Sequence, residues 1–247
     1  MKTIVGAILA RAGFKLTRVP VQRPNKFEPS DTEIKSLESI IRQFTGQQTK
    51  DTDLADEAQW RSYLSNRRIS FFIELVSRIV TLDLDLKNKR ICDLGSGTGY
   101  LLREIHRLEP TAELHGFDTF EEVNQLAKML CPSAQFVASN NPSDAEPFDL
   151  ICCTQVLEHM VNPEEQLRAL LAALNSGGYL ILTVPDGRLD THPALSMRDD
   201  GSGYWGHINF WSPESWKIFI DYCCKGQATF RTGAMDQGQN YAFIRKH

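Results

Sequence analysis

The 247-residue chain predicts an α/β fold, and three observations carry it. From Arg90 to Tyr100 a short apolar run (Ile91, Cys92 and Leu94 around Asp93) breaks into Gly95, Gly97 and Gly99. Leu101, Leu102, Ile105 and Leu108 then recur at helical spacing, so the stretch reads as strand, tight turn and helix. From Ala112 to Pro185, short apolar runs alternate with helical-period stretches, the pattern of a parallel sheet with crossover helices. Two further strand-like runs, 229–232 and 241–245, close the chain with Gly233 and Gly238 between them.

Composition narrows the function. A net charge of −4 with 23% charged residues is an ordinary soluble balance and argues against a nucleic-acid partner. Six cysteines occur without a C-x-x-C pair, two sets of them adjacent (Cys152–Cys153 and Cys223–Cys224). They read as reduced core residues and point to the cytoplasm. No apolar run approaches the roughly 20 residues needed to span a bilayer. Arg11 interrupts the apolar start too early for a secretory leader.

Residues 1–27 carry six basic side chains and no acid. Ile4, Val5, Ile8, Leu9 and Ala12 share one helical face. Two roles stay open for it: packing on its own domain or on a second copy in a homodimer, or peripheral contact with an anionic inner-membrane surface. Pro20, Pro24 and Pro29 make an extended connector. Ser30 with Glu33 forms a capping box for a helix bearing Ile34, Leu37, Ile41 and Phe44, ended by Gly46. We treat 1–55 as a basic, helical extension and 56–247 as the main domain. The latter opens on a helical region from about Asp56 to Val80, with Trp60, Leu64, Phe72, Ile73, Val76 and Val80 facing inward.

Beyond the glycine turn, Ala112–Asp118 is a second strand and Glu121–Leu130 a helix. Ala134–Ala138 is a third strand, running into Ser139 and Asn140. Phe148 begins a fourth strand whose exit loop reaches His159. Pro163–Leu174 is a helix stopped by Gly177 and Gly178, Tyr179–Val184 a fifth strand closed by Pro185, and Ser212 starts a helix through Tyr222 with Pro213 in its first turn.

The turn reads D-x-G-x-G-x-G, unlike the G-x-G-x-x-G of dinucleotide sites. An acid two residues before the first glycine suits a ligand with a positive amino group. Here the chain resembles the class I S-adenosylmethionine-dependent methyltransferases. The run from Phe148 to Val156-Leu157-Glu158-His159 is similar to the fourth motif of small-molecule members, notably those of quinone biosynthesis. Leu174 to Pro185 is similar to the strand that follows, so the likeness covers Arg90 to Asp186. It implies a Rossmann-like sheet of seven strands, mostly parallel with an antiparallel C-terminal pair, behind a helical N-terminal extension. The helices before Arg90 would cover the cofactor cleft.

The resemblance also distributes S-adenosyl-L-methionine over the chain. Asp93, Gly95, Ser96, Gly97 and Gly99 would hold its methionine end, Asp118 with Thr119 its ribose, and Asn140 its adenine, while Gln155 and Val156 would line the cleft floor. Asp118 keeps a second reading, as a cap for the helix from Glu121.

The segment 187–212 breaks the strand-helix rhythm and is rich in aromatic and polar residues, which marks it as functional. Tyr204, Trp205, Asn209 and Trp211 around His207 suit a sugar ring, whose C–H faces stack while its hydroxyls bond. They serve equally as the segment's private core. Gly187–Trp216 and the basic start are diffusely similar to bacterial surface-polysaccharide methyltransferases, which implies O-methylation of a sugar or glycan hydroxyl. A phenolic or quinone-like acceptor is the alternative, and a non-catalytic cofactor-binding scaffold the competing class. His159 and His207 are the candidate bases for a hydroxyl acceptor. Some quinone-pathway relatives hold a divalent metal on a Glu-His pair such as Glu158–His159. With no further ligand evident along the chain, no metal is expected.

Overall fold

The computed structural model describes residues 15–16, 27–47, 64–142, 146–190, 196–197 and 204–247. Contacts among them gather into two compact units. One draws on positions up to Asn88 and on Ser96–Ala138, the other on Lys89–Gly95 and Ser139–His247.

In the first unit a two-residue pair, β1 (Lys15–Leu16) against β2 (Phe27–Glu28), is antiparallel. The rest of the basic helical face expected before Phe27 lies outside the described residues, as does Trp60. Helix α1 runs Asp31–Gln47 and continues through Gly46. Ser30 caps it, its Oγ accepting the Glu33 N–H at 3.2 Å. The reciprocal half of the expected capping box goes elsewhere: the Glu33 carboxylate pairs with Arg103 and, at 2.8 Å, with Arg107. Two guanidiniums outcompete one backbone amide for a buried carboxylate.

Helix α2 (Asn66–Ile79), α3 (Tyr100–Leu108), β4 (Glu113–Asp118), α4 (Glu121–Leu130) and β5 (Gln135–Ala138) complete this unit, with β4 and β5 parallel. Leu37, Ile41 and Phe44 of α1 enter one cluster with Leu64, Ile69, Ile73, Tyr100, Leu126 and Leu130. The i, i+4, i+7 spacing of the α1 residues puts all three on the side facing that cluster.

The second unit starts from β3 (Arg90–Leu94), which pairs in parallel with β6 (Phe148–Thr154). A single 3₁₀ turn, Leu157–His159, follows β6. Helix α5 spans Pro163–Ala172, and β7 runs Leu174–Pro185, parallel to β6. The helix therefore stops two residues before the sequence predicts. Pairing jumps from Phe148↔Leu174 to Leu150↔Tyr179, with Gly177 at φ 78° in the irregularity. Ile91–Leu94, Leu150–Cys153 and Leu180–Val184 are buried continuously, the signature of strands covered on both faces.

A second two-residue pair joins β8 (Ser196–Met197) to β9 (Tyr204–Trp205). Helix α6 (Pro213–Cys224) is capped by Ser212, whose Oγ accepts the Ser215 N–H at 3.2 Å. The hairpin β10 (Ala228–Met235) and β11 (Gln239–Lys246) closes the chain, longer at both ends than the sequence predicts.

The seven long strands form one sheet in the order β10-β11-β7-β6-β3-β4-β5. Within it β10–β11 and β11–β7 are antiparallel, while β7–β6, β6–β3 and β4–β5 are parallel. This is the mostly parallel sheet with an antiparallel C-terminal pair that the resemblance implied. All six cysteines are buried and free, and no described helix is long and apolar enough to cross a membrane.

Candidate active site

Expected cofactor residues occur in both units. In the first, Gly97 and Gly99 take φ of 49° and 73°, values that side chains with a Cβ rarely adopt. A Cβ on Gly97 would stand in open space, so the missing side chain leaves a bare backbone cradle; one on Gly99 would strike Phe136 at 2.7 Å. The Gly97 N–H donates to Asp118 Oδ2 at 3.0 Å, and the Phe120 N–H to Oδ1 at 3.1 Å. The buried amide of Asn124 donates to the Asp118 carbonyl at 3.2 Å, holding the end of β4.

The Asp118 carboxylate is thus tied to the glycine turn as well as to the approach to α4. The N-cap position itself is Phe120, without a side-chain cap. A carboxylate accepts about four hydrogen bonds, so two N–H donors leave room for a diol. Ser96 Oγ is buried and meets no hydrogen-bond partner among the described residues. Thr119 is exposed beside Asp118.

In the second unit, Asp93 is 2% exposed near the carboxyl end of β3. Gly95 has φ 71°, and a Cβ there would lie 2.3 Å from Val156 Cγ2. Gln155 takes φ 57° without being glycine. Its N–H donates to the Thr183 carbonyl at 2.9 Å and its side-chain amide to Thr183 Oγ1 at 3.2 Å, which hold this strained residue in place. Asn140 is exposed just beyond β5. In the first unit the backbone-anchored Asp118 carboxylate suits a diol such as the ribose of S-adenosylmethionine; in the second the buried Asp93 carboxylate suits an ammonium such as that of its methionine end.

The segment after β7 assembles the rest. The N–H groups of Leu189 and Asp190 both return to the Asp186 carbonyl, at 2.8 and 3.0 Å. Gly187 donates to the Trp211 carbonyl at 2.9 Å, and a Cβ on Gly187 would press on Phe210 at 2.9 Å. The two ends of the segment are thereby zipped together, and the buried His207 meets the Asp190 carboxylate through Nδ1. His159, exposed, donates from Nδ1 to the Gly206 carbonyl at 2.9 Å. The two imidazoles stand edge to face with centroids 4.7 Å apart.

Directly before His159 in the chain is Glu158, 1% exposed, neither of whose carboxylate oxygens meets a donor among the described residues. Burial pushes its carboxyl up to about 8, with the Asp190 charge adding to the rise. Its own carbonyl accepts the N–H groups of Ile208 and Asn209 at 2.8 and 3.1 Å, which lashes the 3₁₀ turn to the segment.

Two of the acceptor candidates hold the segment itself in place. The Asn209 amide donates to the carbonyls of Leu157 and Met160 at 3.1 and 2.6 Å, so it braces the turn instead of presenting its donors to a ligand. Trp211 is 9% exposed and packs on Trp216 and Phe219, the private-core reading. The side chains of Tyr204 and Trp205 lie outside the described residues. Asp190 was missed in the sequence because its partner stands 17 residues away and nothing local marks it.

A methyltransferase-domain family model matches residues 63–218. The chain is 27% identical over 157 residues to a tRNA U34 carboxymethyltransferase of Nautilia profundicola, covering 61% of this chain and 48% of that protein. A protein of the same name from Campylobacter jejuni is 28% identical over 137 residues, with 53% and 43% covered. The chain therefore spans about half the length of the curated relatives it matches. Among solved structures, the plantazolicin methyltransferase BpumL, in complex with a pentazolic desmethylPZN analogue and SAH, aligns with a TM-score of 0.59 at 18% identity, covering 88% of this chain and 100% of that one. The DhpI–SAH complex aligns with a TM-score of 0.59 at 15% identity, covering 86% and 98%. With more than half of its length matched by the family model, and with the sheet, the glycine turn and its two acids in place, the chain belongs to the class I S-adenosylmethionine-dependent methyltransferases.

Proposed function

We propose that the protein transfers a methyl group from S-adenosylmethionine to a hydroxyl oxygen, with a sugar or glycan hydroxyl as the acceptor class. The observation that carries the hydroxyl is the cluster that Glu158 and His159, just past β6, form with Asp190 and His207 of the segment after β7. Ligands of open α/β sheets bind at the carboxyl ends of the parallel strands. The cofactor, when bound, supplies an electrophilic methyl group on its sulfonium sulfur.

The chain's own residues then have three tasks. Asp93, Gly95, Ser96, Gly97 and Gly99 hold the ammonium end, Asp118 with Thr119 the ribose, Asn140 the adenine, and Gln155 with Val156 the floor. The acceptor oxygen must be held in line with the methyl group. A hydroxyl is a poor nucleophile until its proton is removed or its pKa lowered, and the imidazole-carboxylate cluster is the group of side chains suited to that. Amine or carbanion acceptors would not need it. Tyr204 and Trp205 remain the support for a sugar. The six buried thiols suit a reducing compartment.

The test is methyl transfer by the full chain to nucleotide sugars and oligosaccharides, with phenols and, prompted by the relatives' names, tRNA assayed alongside. Replacing both His159 and His207 by alanine should lower transfer at least about 100-fold while S-adenosylhomocysteine affinity stays within about twofold. Undiminished turnover would remove the cluster from the chemistry. Turnover confined to phenols, or to tRNA, would end the sugar assignment.

A further inference from the structure

Beside the 3₁₀ turn, between the start of α5 and α6, lies a groove of about 760 Å³ that methyl transfer itself leaves without a task. That volume is in the range of pockets that hold small organic molecules, roughly 300–1,000 Å³. Its floor is aromatic. Trp211 and the half-buried Phe219 line it with ring centroids 5.2 Å apart, and Trp216 backs Phe219 in a stacked pair at 5.8 Å. Aromatic rings have negative faces, which attract the weakly positive C–H groups of a ligand laid flat on them.

The walls are polar. Glu164 and Glu165 stand in the first turn of α5. Arg168 donates from Nε to Glu164 Oε1 at 3.0 Å and from Nη1 to the Cys223 carbonyl at 3.2 Å, which leaves the guanidinium further N–H donors for a ligand. Glu165, exposed, accepts the Asn162 amide at 3.4 Å through one oxygen and has lone pairs to spare. Asn209 gives its amide hydrogens to the carbonyls of Leu157 and Met160, so what it offers the groove is its Oδ1 acceptor.

An aromatic floor ringed by carboxylates, an amide and a guanidinium suits a pyranose, which has C–H faces to stack and hydroxyls that both donate and accept. An alkyl chain would leave these polar groups covered and unpaired. A phosphate backbone would meet two carboxylates against one arginine that is already paired. The groove is joined to the reacting centre through shared residues. Asn209 lines it and holds the turn that carries His159, and Val161, 81% exposed two residues past His159, lines it as well.

We propose that this groove is a second sugar subsite, taking the unit next to the one whose hydroxyl is methylated. The acceptor is then an oligosaccharide or polysaccharide and not a nucleotide-activated monosaccharide. The inference deepens the sugar reading above and rests on it for the methylated unit.

The full chain, saturated with S-adenosylhomocysteine, is titrated by calorimetry and saturation-transfer NMR with linear oligosaccharides of glucose, galactose, mannose, rhamnose and N-acetylglucosamine, each beside the methyl glycoside of its single unit. We expect at least one oligosaccharide to bind about tenfold or more tightly than its single unit, the gain from one further stacked and hydrogen-bonded ring. Phe219→Ala should remove most of that gain and leave S-adenosylhomocysteine and methyl-glycoside affinity within about twofold. Because Phe219 also packs on Trp211 and Trp216, Glu165→Ala, at an exposed position, is the second variant. It should weaken the oligosaccharide about threefold or more with an unchanged far-UV spectrum. Failure of every saccharide to bind, equal affinity for chain and single unit, or a chain-length gain that survives both variants would overturn the subsite. Methyl transfer to sugars with kcat/KM indifferent to chain length and to both variants also overturns it, and leaves the methylation reading standing. A gain lost in the variants, with no sugar methylated, keeps the subsite and removes that reading.

Discussion

Gly95 and Glu104 show how much a single position decides. At Gly95 two constraints coincide, a φ of 71° and a Val156 methyl 2.3 Å from where a Cβ would stand. Gly95→Ala should cost about 2 kcal/mol or more, as strain and overpacking add, and should lower S-adenosylhomocysteine affinity, read by thermal melts and calorimetry. Glu104 is 1% exposed, and burial pushes its carboxyl up to about 7 against the pull of Arg107 and Arg103. The native state then holds a proton that the unfolded state has released between pH 4.5 and 7. Stability attributable to this group is therefore present at acidic pH and falls as pH rises through that window. Glu104→Gln has nothing to titrate, so denaturant melts should show its stability gaining on wild type by of the order of 2 kcal/mol between pH 5 and 8. A constant difference across that range would refute the raised carboxyl. Neither effect was legible at the residue itself. The glycine motif announced a turn but not its Val156 neighbour, and Glu104 read as one more charge on a helix.

The 3₁₀ turn Leu157–His159 is the element on which the site depends. Its residues were visible as a motif, yet its shape comes from Asn209, whose amide holds the carbonyls of Leu157 and Met160 at 3.1 and 2.6 Å. Asn209→Ala removes both bonds, which should cost about 1–3 kcal/mol. It should also let His159 drift from its place, lowering methyl transfer at least tenfold with S-adenosylhomocysteine binding unchanged. Weakened cofactor binding in this variant would instead make Asn209 part of the cofactor site. The segment 187–212 stood out in the sequence because it lacked a period, and lack of a period says nothing about which of its side chains meet. Asp190 and His207 do so because Gly187 and Trp211 pin the two ends together.

Over the whole molecule the six cysteines report on integrity, being buried and free in both units. Burial raises the thiols of Cys92, Cys152 and Cys153 well above their usual range, so little thiolate is present to react. A thiol reagent should label less than one equivalent in the native protein and all six in denaturant, with the native rate following global unfolding. Rapid labelling of one thiol before unfolding would show a region opening by itself.

The order of strands and helices from Arg90 to Pro185, and of the helix and hairpin after Ser212, was legible in the sequence alone, because hydrophobic period and glycine placement act within a few residues and need no partner. The same holds for the buried thiols and for the acids near the ends of β3 and β4. Tertiary structure decided where side chains went once several neighbours competed for them. Glu33 left its helix cap for two arginines, the Asn209 amide went to two backbone carbonyls, Trp211 packed on Trp216 and Phe219, and His207 came within 4.8 Å of the distant Glu158 and His159. Polar partners are chosen by proximity across the fold, and one-dimensional spacing carries no record of that proximity.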